Sequence, residues 1–229
     1  MEIFEAQQAT EQTAQVCNNL AVVFEHMGDL EKALEFNRRS LELTIEMGNK
    51  RRSGNVYLSM GYLHRKRDEL EEALDYFDKA FETMDRIGNL FGAGSAAMLK
   101  GRCYIDLDRL DEAESALLGA MRMHRELGLE TKILANELAL CTVYVRKGDG
   151  AAARDHLVRA RTIATERDRA VDLAEAARLE AQLLILEGKK PERKFEEAIE
   201  LFKGLNRDRD AASVAEELSR YVESDSKVA

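Results

Sequence analysis

The residue types that could do chemistry are sparse in this chain, and their spacing does not suit it. Four histidines, His26, His64, His124 and His156, and three cysteines, Cys17, Cys103 and Cys141, are scattered over 229 residues. No two stand at the short intervals that bring metal ligands together on one helix or turn. Catalysis would need a nucleophile beside a base that a third group orients, and no such set is legible. Cys103 and Cys141 stand among apolar neighbours and read as small core residues. His64 occupies a place where equivalent stretches carry Phe24, Tyr104 or Tyr144, so it reads as packing. The segment GAGS at 92–95 opens a helical stretch but follows no strand, which removes it as a phosphate cradle. The carboxylate-rich stretches EKALE, ELEEALD and LDEAE recur at equivalent places and read as solvated helix faces. No enzyme activity, cofactor or metal is expected.

Binding is what remains, and charge narrows it. Thirty-four Lys and Arg against 43 Asp and Glu leave a net charge of −9, and no basic patch offsets it, so nucleic acid is not an expected partner. No stretch approaches the ~20 apolar residues of a membrane span, and the first residues carry no signal-peptide pattern. An odd number of widely spaced cysteines is no disulfide framework and suits a reducing cytoplasm, so a cytoplasmic location is expected.

The positions that matter repeat. Ala33, Ala73, Ala113 and Ala153 fall 40 residues apart, within GDLEKAL, DELEEAL, DRLDEAE and GDGAAAR. Gly48, Gly88 and Gly128 keep the same interval; Gly28, Gly148 and Gly188 form a third series, with Asp68 and Asp108 standing in between. Each period holds two helices. Tyr57, Met60, Gly61 and His64 lie on one helical face, and after the break at Arg67-Asp68, Ala73, Phe77, Ala80 and Phe81 form another. Glycine stands where helices stop, because the residue after a helix often takes left-handed dihedrals. Small residues such as Gly61, Gly101, Ala73, Ala113, Ala80 and Ala120 let paired axes approach closely. One helical pair cannot bury both faces, so such units stack in arrays.

NLAVVFEHMGDLEKALEFNRRSLEL and MGYLHRKRDELEEALDYFDKAFE resemble the tetratricopeptide repeat (TPR) family, in the order small residue, aromatic, turn, alanine, aromatic, alanine. The 40-residue unit resembles the long-helix subclass that includes kinesin light chains, Leu-Gly-Asn repeat proteins and Rap-type peptide sensors. The resemblance implies an all-α, right-handed α-solenoid of about five helix-turn-helix repeats plus a C-terminal capping helix. The expected organisation is a single domain over 1–229: a tail of a truncated preceding helix at 1–9, repeats at about 10–49, 50–89, 90–129, 130–168 and 169–206, and a cap at 208–222. Asn37, Ser40, Lys100 and Glu137 depart from the pattern at normally small, aromatic or apolar positions. The tail leaves two readings open, a longer array or a natural start. An open N-terminal edge would expose Phe4, Val16 and Val23, so a homodimer through it stays open as well.

In the family the first helix of each unit lines a concave groove. Carried onto this chain, the groove residues are Asn18, Asn19, Asn55, Leu58, Tyr62, Arg65, Lys66, Met98, Arg102, Arg146, Arg178 and Gln182. Asn19, in NNLAVVF, resembles the asparagine with which the long-repeat subclass holds peptide backbones. The cations here outnumber Glu25, Asp106 and Glu175, and Leu58, Tyr62 and Met98 are more apolar than a solvated stripe needs. The expected function is a non-catalytic scaffold that binds a protein or peptide bearing acidic groups and apolar anchors. The alternative is a sensory segment of a larger signalling protein, an ATPase, cyclase or transcription regulator whose effector domain lies N-terminal to this chain. A Rap-type phosphatase would need a further N-terminal helical bundle.

Overall fold

A computed structural model describes residues 2–225, with side chains from Gln8 onward. Among the described residues the chain is all-α, with eleven helices and no strand. They are α1 (Glu2–Met27), α2 (Leu30–Glu46), α3 (Lys50–Lys66), α4 (Leu70–Asp85), α5 (Leu90–Asp106), α6 (Leu110–Glu126), α7 (Glu130–Lys147), α8 (Gly150–Glu166), α9 (Ala170–Leu186), α10 (Glu192–Gly204) and α11 (Asp208–Asp225). The chain forms two compact units, Met1–Gly128 and Leu129–Ala229. In each unit consecutive helices pack as stacked antiparallel hairpins, the solenoid arrangement that the 40-residue period implies.

Turn residues set the helix lengths. A residue with positive φ follows each of the first ten helices, at Gly28, Gly48, Asp68, Gly88, Asp108, Gly128, Gly148, Asp168, Gly188 and Asn206. Aspartate and asparagine take this conformation more readily than other side chains, which is how Asp68 and Asp108 replace glycine. Restart is fixed too: Asp29, Asn49, Asn89 and Asp149 accept a hydrogen bond from the backbone N–H three residues on. The expected break near residue 9 does not occur, since α1 runs unbroken from Glu2 to Met27. Nothing between residues 1 and 17 is glycine, aspartate, asparagine or proline, and Gln8 stands where the next turn residue would fall. The Phe4 side chain lies outside the described residues.

In the first unit, close approach between helices explains the small residues. A Cβ on Gly61 of α3 would sit 2.6 Å from the Phe77 ring of α4, and one on Gly101 of α5 would sit 2.6 Å from Leu117 of α6. Met84 fills the space that Gly54 of α3 and Gly92 of α5 leave open on either side of α4. Burying a Phe or Leu in such a seat is worth roughly 1.5–3 kcal/mol. In the first hairpin the equivalent pair is Ala21 and Asn37, a smaller side chain facing a larger small residue. Asn37 Nδ2 donates to Ser59 Oγ of α3 (3.1 Å), and Ser40 Oγ donates to the Ala14 carbonyl of α1 (3.0 Å). His64 packs as expected, stacked on Tyr76 with centroids 5.0 Å apart, and its Nδ1 lies 2.6 Å from Glu69 Oε2. Lys100, at a normally apolar position, pairs with Asp78 of α4 and lies over the Tyr104 ring.

The second unit has its own buried network. Glu137 of α7 is 1% exposed, yet its carboxylate lies 2.6 Å from His156 Nδ1 and 3.1 Å from Arg159 Nε of α8. Tyr144 stacks on His156, 5.2 Å away. Burial pushes the Glu137 carboxyl up, but the hydrogen bonds from His156 and Arg159 outweigh it and hold the group below the usual carboxylate range. At the end of this unit α11 lays Ala211 and Val214 on a cluster with Phe195, Ala198 and Phe202.

Two glycines inside helices give opposite stability predictions. Gly61→Ala is expected to destabilise the chain by about 1–3 kcal/mol through overpacking against Phe77. Gly119→Ala, within α6 where a Cβ would meet only the Arg122 guanidinium at 3.9 Å, is expected to stabilise it by about 0.5–1 kcal/mol. Urea unfolding followed by circular dichroism measures both. A depressed carboxyl contributes stability above the ordinary carboxylate range and loses it as pH falls through the folded value. Arg159→Ala should therefore cost about 1 kcal/mol at neutral pH, a figure already reduced for the half-exposed guanidinium. In urea titrations repeated down the pH scale, that difference should vanish once Glu137 is protonated in both proteins.

Candidate binding site on the first helices

In the first unit a pocket of about 170 Å³ opens between α1 and α3. Gln15 and Asn18 of α1 face Arg52 and Asn55 of α3 across it, and Ser40 and Thr44 of α2 line it as well. The lining is polar because two second-helix positions that carry Ala80 and Met84 in the next repeat carry Ser40 and Thr44 here. Both hydroxyls are engaged, with Ser40 bonded to Ala14 and Thr44 Oγ1 to the Leu41 carbonyl at 2.9 Å. Arg52 is held too, by Glu11 at 3.0 Å and by Gln15. Among the described residues, the side-chain amides of Asn18 and Asn55 have no partner in the chain. Each offers two donors and a carbonyl acceptor, the complement of a peptide group.

The other expected groove residues are placed differently. Lys66 Nζ donates to Glu25 Oε1 of α1 at 2.8 Å and lies 4.8 Å from the centre of the Tyr62 ring. The Glu25 hydrogen bond raises the Lys66 ammonium above its usual value. Arg65 Nε donates to Asp106 Oδ2 of α5 at 2.6 Å. Asn19 is exposed and accepts from Gln15 Nε2 at 3.0 Å. Leu58 packs against the core around Phe77 and Cys103, and Met98 is only 6% exposed, so neither is a free apolar anchor. Arg102 is half-buried and not free. In the second unit Arg146 is exposed and likewise engaged. There Arg178 Nε donates to Glu217 Oε1 of α11 at 2.9 Å, and Gln182 Nε2 donates to Glu217 Oε2 at 2.9 Å.

Three of the expected groove cations, Arg65, Lys66 and Arg178, are thus matched by carboxylates of neighbouring helices, Asp106, Glu25 and Glu217. The structure brings Asn18 and Asn55 together and adds Arg52, Ser40 and Thr44, which the first-helix stripe does not contain. The polar departure at Ser40 was the one sequence signal for that lining. The buried thiols of Cys103 and Cys141 are pushed up to about 11 and about 12, chiefly by desolvation, and no metal-binding cluster occurs among the described residues.

Comparison with known proteins places this geometry. The apo form of RapI has a TM-score of 0.74 at 16% identity, over 93% of this chain and 85% of RapI. A Rap protein complexed with competence and sporulation factor has a TM-score of 0.69 at 17% identity, over 93% of this chain and 64% of that one. A STAND (signal transduction ATPase with numerous domains) protein with a tetratricopeptide repeat sensor, from Pyrococcus horikoshii, scores 0.71 at 17% identity, over 97% of this chain and 37% of its own length. Identities of this size speak for the fold alone, and the chain spans less than two thirds of the last two proteins. No curated protein matches the sequence. The model of the MalT-like TPR region matches residues 1–219, so the chain belongs to that family.

Proposed function

We propose that this chain is a non-catalytic module that captures an extended peptide or protein segment, with the α1–α3 pocket as one of its contact points. The observation that carries this reading is the pair of uncommitted amides, Asn18 and Asn55, in a region where neighbouring charged groups are already paired. Peptide main chain is the ligand chemistry that two amides read without regard to side-chain charge. A carboxylate on the partner would first have to displace Glu11, Glu25 or Asp106 from its cation, so acidic groups contribute less than the raw count of arginines suggests. The Rap protein seen with competence and sporulation factor shares the fold, which agrees with a binding role.

A second reading is favoured by the family match and by the STAND protein, in which the matched region is 37% of the chain. On that reading the module senses a ligand for a larger signalling protein. Both readings use the same pocket. Buried free thiols fit a reducing, cytoplasmic setting, and no described helix is long and apolar enough to cross a membrane.

Peptides selected from a random display library on the immobilised chain provide the test, with affinity read by fluorescence anisotropy. Asn18→Ala and Asn55→Ala are each expected to weaken capture about fivefold, the worth of ~1 kcal/mol in a hydrogen bond, with the melting temperature unchanged. Arg65→Ala should stay within about twofold. Selected peptides that bind both amide variants as tightly as the parent chain would exclude this pocket.

A further inference from the structure

We propose that the α1–α3 pocket selects a side chain ending in a primary amide, glutamine or asparagine, on the segment that the chain captures. This rests on the peptide-capture reading and deepens it. The starting point is what fills the same space one repeat later. Met84 of α4 is fully buried there, between Gly54 of α3 and Gly92 of α5. Forty residues earlier those three positions hold Thr44, Ala14 and Arg52. Threonine is shorter than methionine, and Arg52 directs its guanidinium to Glu11 and Gln15, so the seat stays open. Its volume of about 170 Å³ has room for about five water-sized groups of ~30 Å³ each. That is the size of one glutamine side chain.

Hydrogen-bond polarity selects the occupant. Ser40 and Thr44 line the pocket and are each 1% exposed. Both of their protons are used within the chain, since Ser40 Oγ donates to the Ala14 carbonyl and Thr44 Oγ1 to the Leu41 carbonyl. A hydroxyl has a single proton, so what these two keep for a guest is lone pairs. The buried floor therefore accepts and does not donate. Asn18 is half-buried and Asn55 exposed, so the uncommitted amides stand nearer the mouth.

A primary amide meets both demands. Its two N–H protons serve the two floor hydroxyls, and its carbonyl accepts from Asn18 or Asn55. Its methylenes lie against Ala14 and Val56, apolar lining residues that are themselves buried. A carboxylate brings no donor and sets its charge against lone pairs. An ammonium or guanidinium donates, but the one charged lining residue is Arg52, a cation held by Glu11 at 3.0 Å, so a second cation finds no counter-ion in the lining. An apolar side chain leaves the floor lone pairs without a donor.

The test titrates the isotope-labelled whole chain with N-acetyl-glutamine methylamide and with its glutamate and methionine counterparts, following the side-chain amide signals of Asn18 and Asn55. The glutamine probe is expected to move both signals at millimolar concentration and to bind about tenfold tighter than the other two. Ser40→Ala/Thr44→Val nearly keeps the shape of the floor and removes its lone pairs, so it should bind the three probes alike with an unchanged helical melt. If that double variant melts early, Thr44→Val alone is expected to cut the preference to about threefold, and Thr44→Ser to keep it. Equal binding of the three probes by the parent chain overturns the proposal, and so does a glutamine preference that the floor variants leave intact. Peptides captured through Asn18 and Asn55 with no amide residue enriched overturn it as well, while main-chain capture stands. A chain that binds the glutamine probe but captures no peptide keeps the pocket's selectivity and loses the capture reading.

Discussion

A left-handed backbone residue about every 20 positions constrains everything else in this chain. It fixes helix length at close to 17 residues for α2 through α9, and equal helices keep equal register. Equal register puts residue i of one hairpin on the same seat as residue i+40 of the next. Only then can Gly61 and Gly101 receive Phe77 and Leu117 in the same way, and only then does a first helix carry its side chains in line with its neighbours. Where the interval shortens to 18, between Gly188 and Asn206, α10 shortens with it to 13 residues. The turn residues therefore act on packing through length, not through any contact of their own.

Register also accounts for the electrostatics of the inner faces. Arg52 meets Glu11, Lys66 meets Glu25 and Arg65 meets Asp106, and each pair is 41 residues apart, one repeat plus one. Such pairs contribute little stability individually at half-exposed sites. Their larger effect is on selection, because they neutralise a surface whose cations would otherwise attract any acidic segment. What is left uncommitted is uncharged, Asn18 and Asn55.

The turn series was legible because left-handed residues have few alternatives, and the helix faces were legible because alanine and glycine recur where axes cross. The candidate site was legible only in part. Weighing the groove cations against Glu25, Asp106 and Glu175 overstated their freedom, because a tally of charges does not show that Glu25 and Asp106 reach Lys66 and Arg65 one repeat away. Met98 misled for a different reason. Its helix, α5, carries only small residues from Gly92 to Ala97 and is buried throughout that stretch, so a stripe taken from one face does not separate groove from core there. The missing break in α1 was legible in principle, as the want of any turn-forming residue before Asn18.

Polar residues at buried positions show the same logic at shorter range. Asn37 bonds Ser59, Lys100 pairs with Asp78, and Glu137 is held by Arg159, and each of these partners is 22 residues away. That interval belongs to side chains near the middles of facing antiparallel helices; pairs nearer the shared turn, such as Gly61 and Phe77, stand closer in sequence. An unpaired polar group at any of these positions would cost about 1–3 kcal/mol, more for the charged ones. These three departures from the repeat pattern are thus tolerated because each finds a polar side chain on the facing helix, while Ser40 finds the Ala14 carbonyl. A polar residue at a normally apolar seat is best judged by the residue that faces it across the hairpin, and that residue is found by counting equally far to the other side of the turn.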